Sequence, residues 1–172
     1  MVDTDPHSQR VFLGLGSNLG NRLAFLRGGR DMLVDRFDVN LVVASGVYES
    51  TALGGPADNP PFYNAVLEVA TTLSPRQLLL ACQTVEDEFG RTRPERWAPR
   101  TLDIDILLYG DLVVDDPELI IPHPRFYERA FVLAPLLAIA PELVCPRQQR
   151  PIARLVDALP TDQQPTLVRE TW

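Results

Sequence analysis

The chain has no lysine. All sixteen of its basic residues are arginines, which excludes Schiff-base chemistry at a lysine amine and the lysine of a Walker A phosphate loop. Any phosphate the chain grips must be met by guanidinium groups, main chain or metal. Cysteine is nearly as scarce, since Cys82 and Cys145 are too few and too isolated for a disulfide framework or a metal–cysteine cluster. A reducing, cytoplasmic setting is expected. Long apolar runs are also missing: none approaches the roughly 18 residues that span a bilayer. The polar first ten residues hold no signal core, so a soluble protein is expected. A formal charge of -7 removes long-range attraction to nucleic acid and anionic lipid, and phosphate binding must be local.

What remains is an ordinary globular composition. With 45% apolar and 23% charged residues, the 172-residue chain suits one domain over 1–172, residues 1–10 being expected to be flexible. Residues 11–16 read as a strand that turns into a helix over 22–37, which Gly28 and Gly29 should weaken. A valine-rich strand is expected over 40–48 and a third strand over 63–72, with a glycine- and proline-punctuated loop between them at 50–61. The clearest helix covers 75–89, capped by Ser74, begun by Pro75 and closed by Gly90, with Leu78, Cys82, Val85 and Phe89 as its buried stripe. A strand over 101–109, a short one near 119–121 and helices at 129–139 and 151–159 complete the reading. Irregular alternation with long loops favours an α+β sandwich.

The most informative stretch is Thr101-Leu-Asp-Ile-Asp-Ile-Leu-Leu-Tyr109. On a strand, Leu102, Ile104, Ile106 and Leu108 share one face while Thr101, Asp103 and Asp105 share the other. A slip of one residue would bury both carboxylates, so the apolar set fixes the register. Two carboxylates about 7 Å apart along a strand repel unless a cation lies beside them, and magnesium takes one or two carboxylates and completes its shell with water and phosphate oxygens. Alone, Asp-x-Asp is more often the pattern of a solvated sheet face. The preceding segment shifts the balance: Arg91, Arg93, Arg96 and Arg100 lie within ten residues, and guanidinium forks match phosphate oxygens. Trp97 sits among them as an anchor or a cover for a bound nucleotide.

Weaker signals accompany this one. Phe62 and Asn64 share a strand face, and a flat apolar surface beside an amide suits a planar heterocycle rich in donors and acceptors. His123, between two prolines, has no histidine or cysteine neighbour for a zinc site but is able to hydrogen-bond a phosphate, and Arg129 and Phe131 follow it. Gly14-Leu-Gly16-Ser-Asn-Leu-Gly20 places its third glycine one position too late for a dinucleotide fingerprint and reads as a tight strand-to-helix turn.

At these residues the chain resembles 6-hydroxymethyl-7,8-dihydropterin pyrophosphokinase, an enzyme of folate biosynthesis, over about residues 11–146. The carriers are Gly16-Ser-Asn18, Phe62-Tyr-Asn64, Glu86 with Gly90-Arg91-Thr-Arg93, the run from Arg96-Trp97 to Asp103-Ile-Asp105-Ile, and Ile121-Pro-His123 with Arg129-Ala-Phe131. The resemblance implies a ferredoxin-like α+β sandwich with a central antiparallel sheet flanked by helices, monomeric; the charge and the lack of long apolar runs add the expectation of no nucleic-acid or membrane partner. It implies diphosphate transfer from ATP to the hydroxymethyl group of the pterin, giving AMP. Arg91, Arg100, Asp103 and Asp105 are the implied catalytic residues, the two aspartates holding two magnesium ions. Ser50, Leu53, Phe62, Asn64, Trp97 and Phe131 would take the pterin. Gln83, Glu86, Arg91, Arg93, Trp97, Arg100, Ile106, His123 and Arg129 would take ATP, with lids expected at 50–61 and 90–99. Ser50-Thr51-Ala52 departs from the threonine and proline usual before the Leu-Gly of this family. A metal-dependent phosphohydrolase or a non-catalytic ferredoxin-like ligand-binding module would use the same residues differently.

Overall fold

A computed structural model describes residues 6–51, 58–90 and 99–172. In chain order the elements are β1 (Gln9–Ser17), α1 (Arg22–Arg36), β2 (Val39–Ala44), β3 (Val47–Ser50), β4 (Phe62–Thr71), α2 (Pro75–Glu88), β5 (Asp103–Tyr109), β6 (Val114–Asp116), β7 (Leu119–Ile121), α3 (Ala130–Ile139), β8 (Val144–Cys145), β9 (Arg150–Pro151), α4 (Ile152–Asp157) and β10 (Thr166–Arg169). The main sheet runs β10-β3-β4-β1-β5 with β2 also on β4, and every pairing in it is antiparallel. β6 pairs with β7 and β8 with β9 in two small ribbons.

Alternation along the central strands divides the apolar residues between two layers. Val11, Leu13 and Leu15 of β1 pack with Leu67 and Val69 of β4 against Leu26 and Leu33 of α1 and Leu78 and Val85 of α2. Phe12 and Val66 face the other way, against Val132, Leu133 and Leu136 of α3 and Ile152 and Leu155 of α4. Each fully buried side chain of this size contributes about 1.5–3 kcal/mol. Helices therefore cover both faces of one antiparallel sheet, the α+β arrangement expected.

The helices start where their caps are. Asn21 Oδ1 accepts from Ala24 N at 3.1 Å at the head of α1. Ser74 and Gln77 form a reciprocal capping box at the head of α2, with Pro75 in its first turn. As expected, one helix spans Gly28 and Gly29. A Cβ on Gly28 would lie 2.5 Å from Phe89 Cζ, and one on Gly29 2.6 Å from Leu102 Cδ2, so the missing side chains let α1 approach the end of α2 and the start of β5. Close packing outweighs the propensity cost of about 1 kcal/mol per glycine.

Three expectations change in detail. The strand read over 40–48 is two strands, β2 and β3, parted at Ser45-Gly46. The Ser45 hydroxyl accepts from Val66 N at 2.9 Å and donates to Gly46 O at 2.7 Å, so β4 keeps its partner across the break. The strand read over 101–109 begins only at Asp103, because Thr101 Oγ1 donates to Phe89 O at 2.7 Å and holds that residue in a bend. Within β5 the register with β1 passes from Leu13↔Ile106 to Phe12↔Leu108, leaving Leu107 as an extra bulged residue. Leu108 thus joins Leu107 in the α3 layer instead of sharing the face of Ile106, while Tyr109 returns to the α1/α2 layer.

The edge strand β10 has no counterpart in the expectations. It pairs with β3, and beyond it Trp172 Nε1 donates to Ser45 O at 2.7 Å while Arg30 stacks on the indole at 4.8 Å. Gly46 makes room for this segment, since a Cβ there would lie 2.6 Å from Arg169 O.

Candidate active site

The α3-facing side of the sheet changes character along its strands. At one end Phe12, Val66 and Leu107 lie under α3. At the other, Asn64 of β4, Gly16 of β1 and Asp103 of β5 stand in one cross-strand row, followed by Val66, Gly14 and Asp105 in the next row on that face. The two aspartates share a face, as the alternation requires. Between them and β4 the floor is glycine: a Cβ on Gly16 would sit 3.4 Å from Asn64 Oδ1 and 3.7 Å from Phe62 Cδ1. Gly14 and Gly16 lie in β1, inside the strand expected over 11–16, and the turn into α1 follows them. Gly16 leaves a shelf between an amide-and-aromatic edge and an acidic edge, while the Leu107 side chain covers Gly14, 3.3 Å from where a Cβ would sit.

The β3–β4 pairing builds the first edge. Ser50 stands opposite Phe62, and Asn64 Nδ2 donates to Ser50 Oγ at 2.9 Å. Asn64 is 5% exposed and so held in one orientation. Phe131, in the first turn of α3, is half-buried, and the Arg129 guanidinium lies 5.7 Å from its ring centroid.

The second edge pairs acids with bases. Arg100 Nη1 donates to Asp103 Oδ2 at 2.7 Å. Asp105 Oδ2 lies 4.0 Å from His123 Nε2, which is charge proximity and not a hydrogen bond. His123 Nδ1 accepts from Arg125 N at 3.2 Å, so the neutral ring carries its proton on Nε2, on the side of Asp105. Burial pushes the imidazole below its ordinary value; Asp105 opposes this, and Arg129 and Arg125 reinforce it. Burial likewise lowers the Arg129 guanidinium, helped by Arg125 and resisted by Asp105 and Asp103. A neutral Nε2–H donor and a partly desolvated guanidinium beside two carboxylates suit a ligand that carries both metal and phosphate.

No group of three or more histidine, cysteine, aspartate or glutamate side chains suited to a metal occurs among the described residues. The donor set present is a pair of carboxylates with 20% and 43% of their side chains exposed. That set fits magnesium, whose remaining positions go to water and phosphate, better than zinc.

Other expected residues are placed less directly. Glu86 is 2% exposed and accepts from Ile104 N at 2.7 Å, bracing the outer edge of β5. Ile106 packs in the α1/α2 layer, so only its main chain is left for a nucleotide role, and Gln83 is half-buried on α2. Leu53, Arg91, Arg93, Arg96 and Trp97, with half of the expected 50–61 lid and most of the 90–99 lid, lie outside the described residues. Asn18 braces the start of the acidic edge. It is 2% exposed, its Oδ1 and N pair with the main chain of Arg100 at 2.7 and 3.0 Å, and its Nδ2 donates to Pro60 O at 3.3 Å. The signal for Gly14 and Gly16 was present, since glycines two apart in a strand share a face.

Comparison with known proteins identifies the family and the fold. Residues 12–141 match the family model described as 7,8-dihydro-6-hydroxymethylpterin-pyrophosphokinase. The chain is 44% identical over 152 residues to the 2-amino-4-hydroxy-6-hydroxymethyldihydropteridine pyrophosphokinase of Pseudomonas aeruginosa, covering 88% of this chain and 93% of that one. It is 42% identical over 133 residues to the enzyme of the same name from Bacillus subtilis, covering 77% and 79%. Among solved structures, wild-type Plasmodium falciparum HPPK-DHPS with STZ-DHP superposes with a TM-score of 0.70 at 15% identity over 91% of this chain. The chain spans 44% of that longer protein, and the likeness shows a shared fold.

Proposed function

The chain belongs to the 7,8-dihydro-6-hydroxymethylpterin-pyrophosphokinase family, and from that premise we propose how its polar sheet end does the work of a pyrophosphokinase. The enzyme transfers a diphosphate from ATP to the hydroxymethyl group of 6-hydroxymethyl-7,8-dihydropterin in folate biosynthesis. The observation that carries the site assignment is the row Asn64–Gly16–Asp103 with Asp105 beside it. It sets a heterocycle-reading amide and a metal-type carboxylate pair on one shelf.

The pterin lies on the glycine shelf between Phe62 and Phe131, with Asn64 and Ser50 reading its edge. Its hydroxymethyl oxygen attacks the β-phosphorus of ATP in line with the bridging oxygen to the α-phosphorus. That P–O bond breaks, AMP departs with the bridging oxygen, and the hydroxyl proton is released. Asp103 and Asp105 would hold two magnesium ions, which when bound neutralise phosphate charge and acidify the attacking hydroxyl. His123 Nε2–H and Arg129 donate to phosphate oxygens. Arg100, paired with Asp103, turns its remaining donors to the same anion, and Arg91 and Arg93 add charge from the preceding segment. Glu86, Gln83 and Ile106 border the nucleotide along β5, and Leu53 and Trp97 supply further contacts. Positioning and electrostatics supply most of the acceleration in transfers of this kind.

The strand and helix order β1-α1-β2/β3-β4-α2-β5, with spatial order β3-β4-β1-β5, supports assignment to the ferredoxin-like class. We take residues 1–172 as one domain acting as a monomer in the cytoplasm. No helix among the described residues is long and apolar enough to cross a membrane. Incubation with ATP, magnesium and the hydroxymethyl pterin, followed by nucleotide separation, should yield AMP and pterin diphosphate in equal amounts. ADP would indicate an ordinary kinase, and ATP cleavage without pterin a hydrolase.

A further inference from the structure

Arg22 opens α1, a place that disfavours a cation. The first helical turn presents unpaired N–H groups and the positive end of the macrodipole, and no acidic residue occupies that turn to compensate. The guanidinium is engaged elsewhere. Nη1 donates to Glu49 Oε2 at 3.0 Å and to Pro61 O at 2.7 Å, and the group lies 3.7 Å from the Tyr63 ring centroid. The Arg22 side chain is 23% exposed, so these contacts are partly shielded from solvent.

Glu49 of β3 and Tyr63 of β4 are register partners. Their side chains point toward α1, while the neighbouring pair Ser50↔Phe62 and the next residue of that face, Asn64, point toward the glycine shelf. One guanidinium therefore clamps the β3–β4 ribbon from behind, between the positions that present Ser50, Phe62 and Asn64 in front. The ribbon needs the clamp: β3 has four residues, and only three of them are in register with β4. Loss of the Glu49–Tyr63 alignment would part Ser50 Oγ from Asn64 Nδ2 and turn the amide that reads the heterocycle.

We propose that Arg22 is a positioning residue for the pterin half of the site, fixing the β3–β4 register on which Ser50, Phe62 and Asn64 depend. The proposal rests on the pterin reading of that shelf. It acts on one substrate only, because the carboxylates, His123 and Arg129 stand on β5 and beyond, outside the clamped ribbon.

Calorimetric titration tests it. 6-Hydroxymethyl-7,8-dihydropterin is titrated into protein saturated with magnesium and α,β-methylene-ATP, and the nucleotide analogue is titrated separately. Arg22→Ala should weaken pterin binding about tenfold, the scale of one lost charge-assisted contact, while nucleotide affinity moves less than about twofold. Arg22→Lys keeps the charge but loses the flat stack and the fork, and should recover part of the affinity. In the Arg22→Ala background, Glu49→Ala should add little, since both changes remove one coupled unit. Unchanged pterin affinity in Arg22→Ala overturns the proposal. So does equal weakening of both ligands with a lowered melting midpoint, the signature of general destabilisation. If Arg22→Ala fails to fold, the Lys variant decides on the same comparison of the two ligands. A wild-type protein that binds no pterin overturns the pterin reading and this proposal together; wild-type binding with an indifferent variant overturns the clamp alone.

Discussion

The two faces of the central strands carry opposite investments. Toward α1 and α2, Val11, Leu13, Leu15, Leu67, Leu102, Ile104 and Ile106 are almost wholly buried in one continuous apolar layer. Toward α3 the same strands are apolar over only half their length, then present glycine, an amide and two carboxylates. Strand alternation makes this possible, because one sequence is read twice, once for packing and once for chemistry. Stability and catalysis should therefore separate by residue parity.

The strongest break in that comparison is Asp105→Ala. Turnover measured as AMP release should fall by about a thousandfold or more, the scale of losing a transition-state charge ligand, while denaturant unfolding stays within about 0.5 kcal/mol of wild type. Full activity would remove Asp105 from the metal site. The converse is Leu13→Ala, one strand over and on the other face. It should destabilise by about 2–5 kcal/mol, yet leave activity per folded molecule near wild type at low temperature; a selective loss of activity would mean that the faces are not independent. Gly16→Val probes the shelf. The added side chain enters the space beside Asn64 and Phe62, and pterin affinity should fall about a hundredfold with nucleotide affinity preserved, as expected for about 3 kcal/mol of lost contact and overlap. Equal loss of both ligands would argue against a pterin shelf.

The gentlest test is the titration of His123 by NMR in the ligand-free protein. Burial, with Arg129 and Arg125 behind it, holds the imidazole below its ordinary 6.5. The folded state favours the neutral ring, so this contribution to stability is complete above pH 6.5 and is lost as the pH falls through the lower folded value. Because Asp105 pulls the other way, Asp105→Asn should lower the titration further. A midpoint at or above the ordinary value would place the ring in water instead.

Much of this division was legible in the sequence. The Asp103-x-Asp105 alternation, the capped α2 helix and the pairing of Phe62 with Asn64 are local patterns, and local patterns are what period and propensity report. Features that failed to show depend on distant contacts. Gly28 and Gly29 looked like flaws until Phe89 and Leu102 stood opposite them, and the Ser45-Gly46 break needs Trp172, 127 positions away from Ser45. β10 is four exposed residues with no alternation to betray a strand. The site followed the same rule: its carboxylates could be read from one segment, but the role of Gly14 and Gly16 required knowing which strands flank β1.

The bulge at Leu107 has a bearing on how this strand tolerates change over evolutionary time. By inserting one residue between Ile106 and Leu108, it divides β5 into two stretches whose in-and-out phase is set separately. Length changes beyond the bulge re-sort Leu108 and Tyr109 between the two apolar layers and leave both acids in place. A gain or loss of one residue ahead of it would drive both acids into the α1/α2 layer. Selection can thus rework the distal half of the strand freely while the proximal half stays locked to its chemistry.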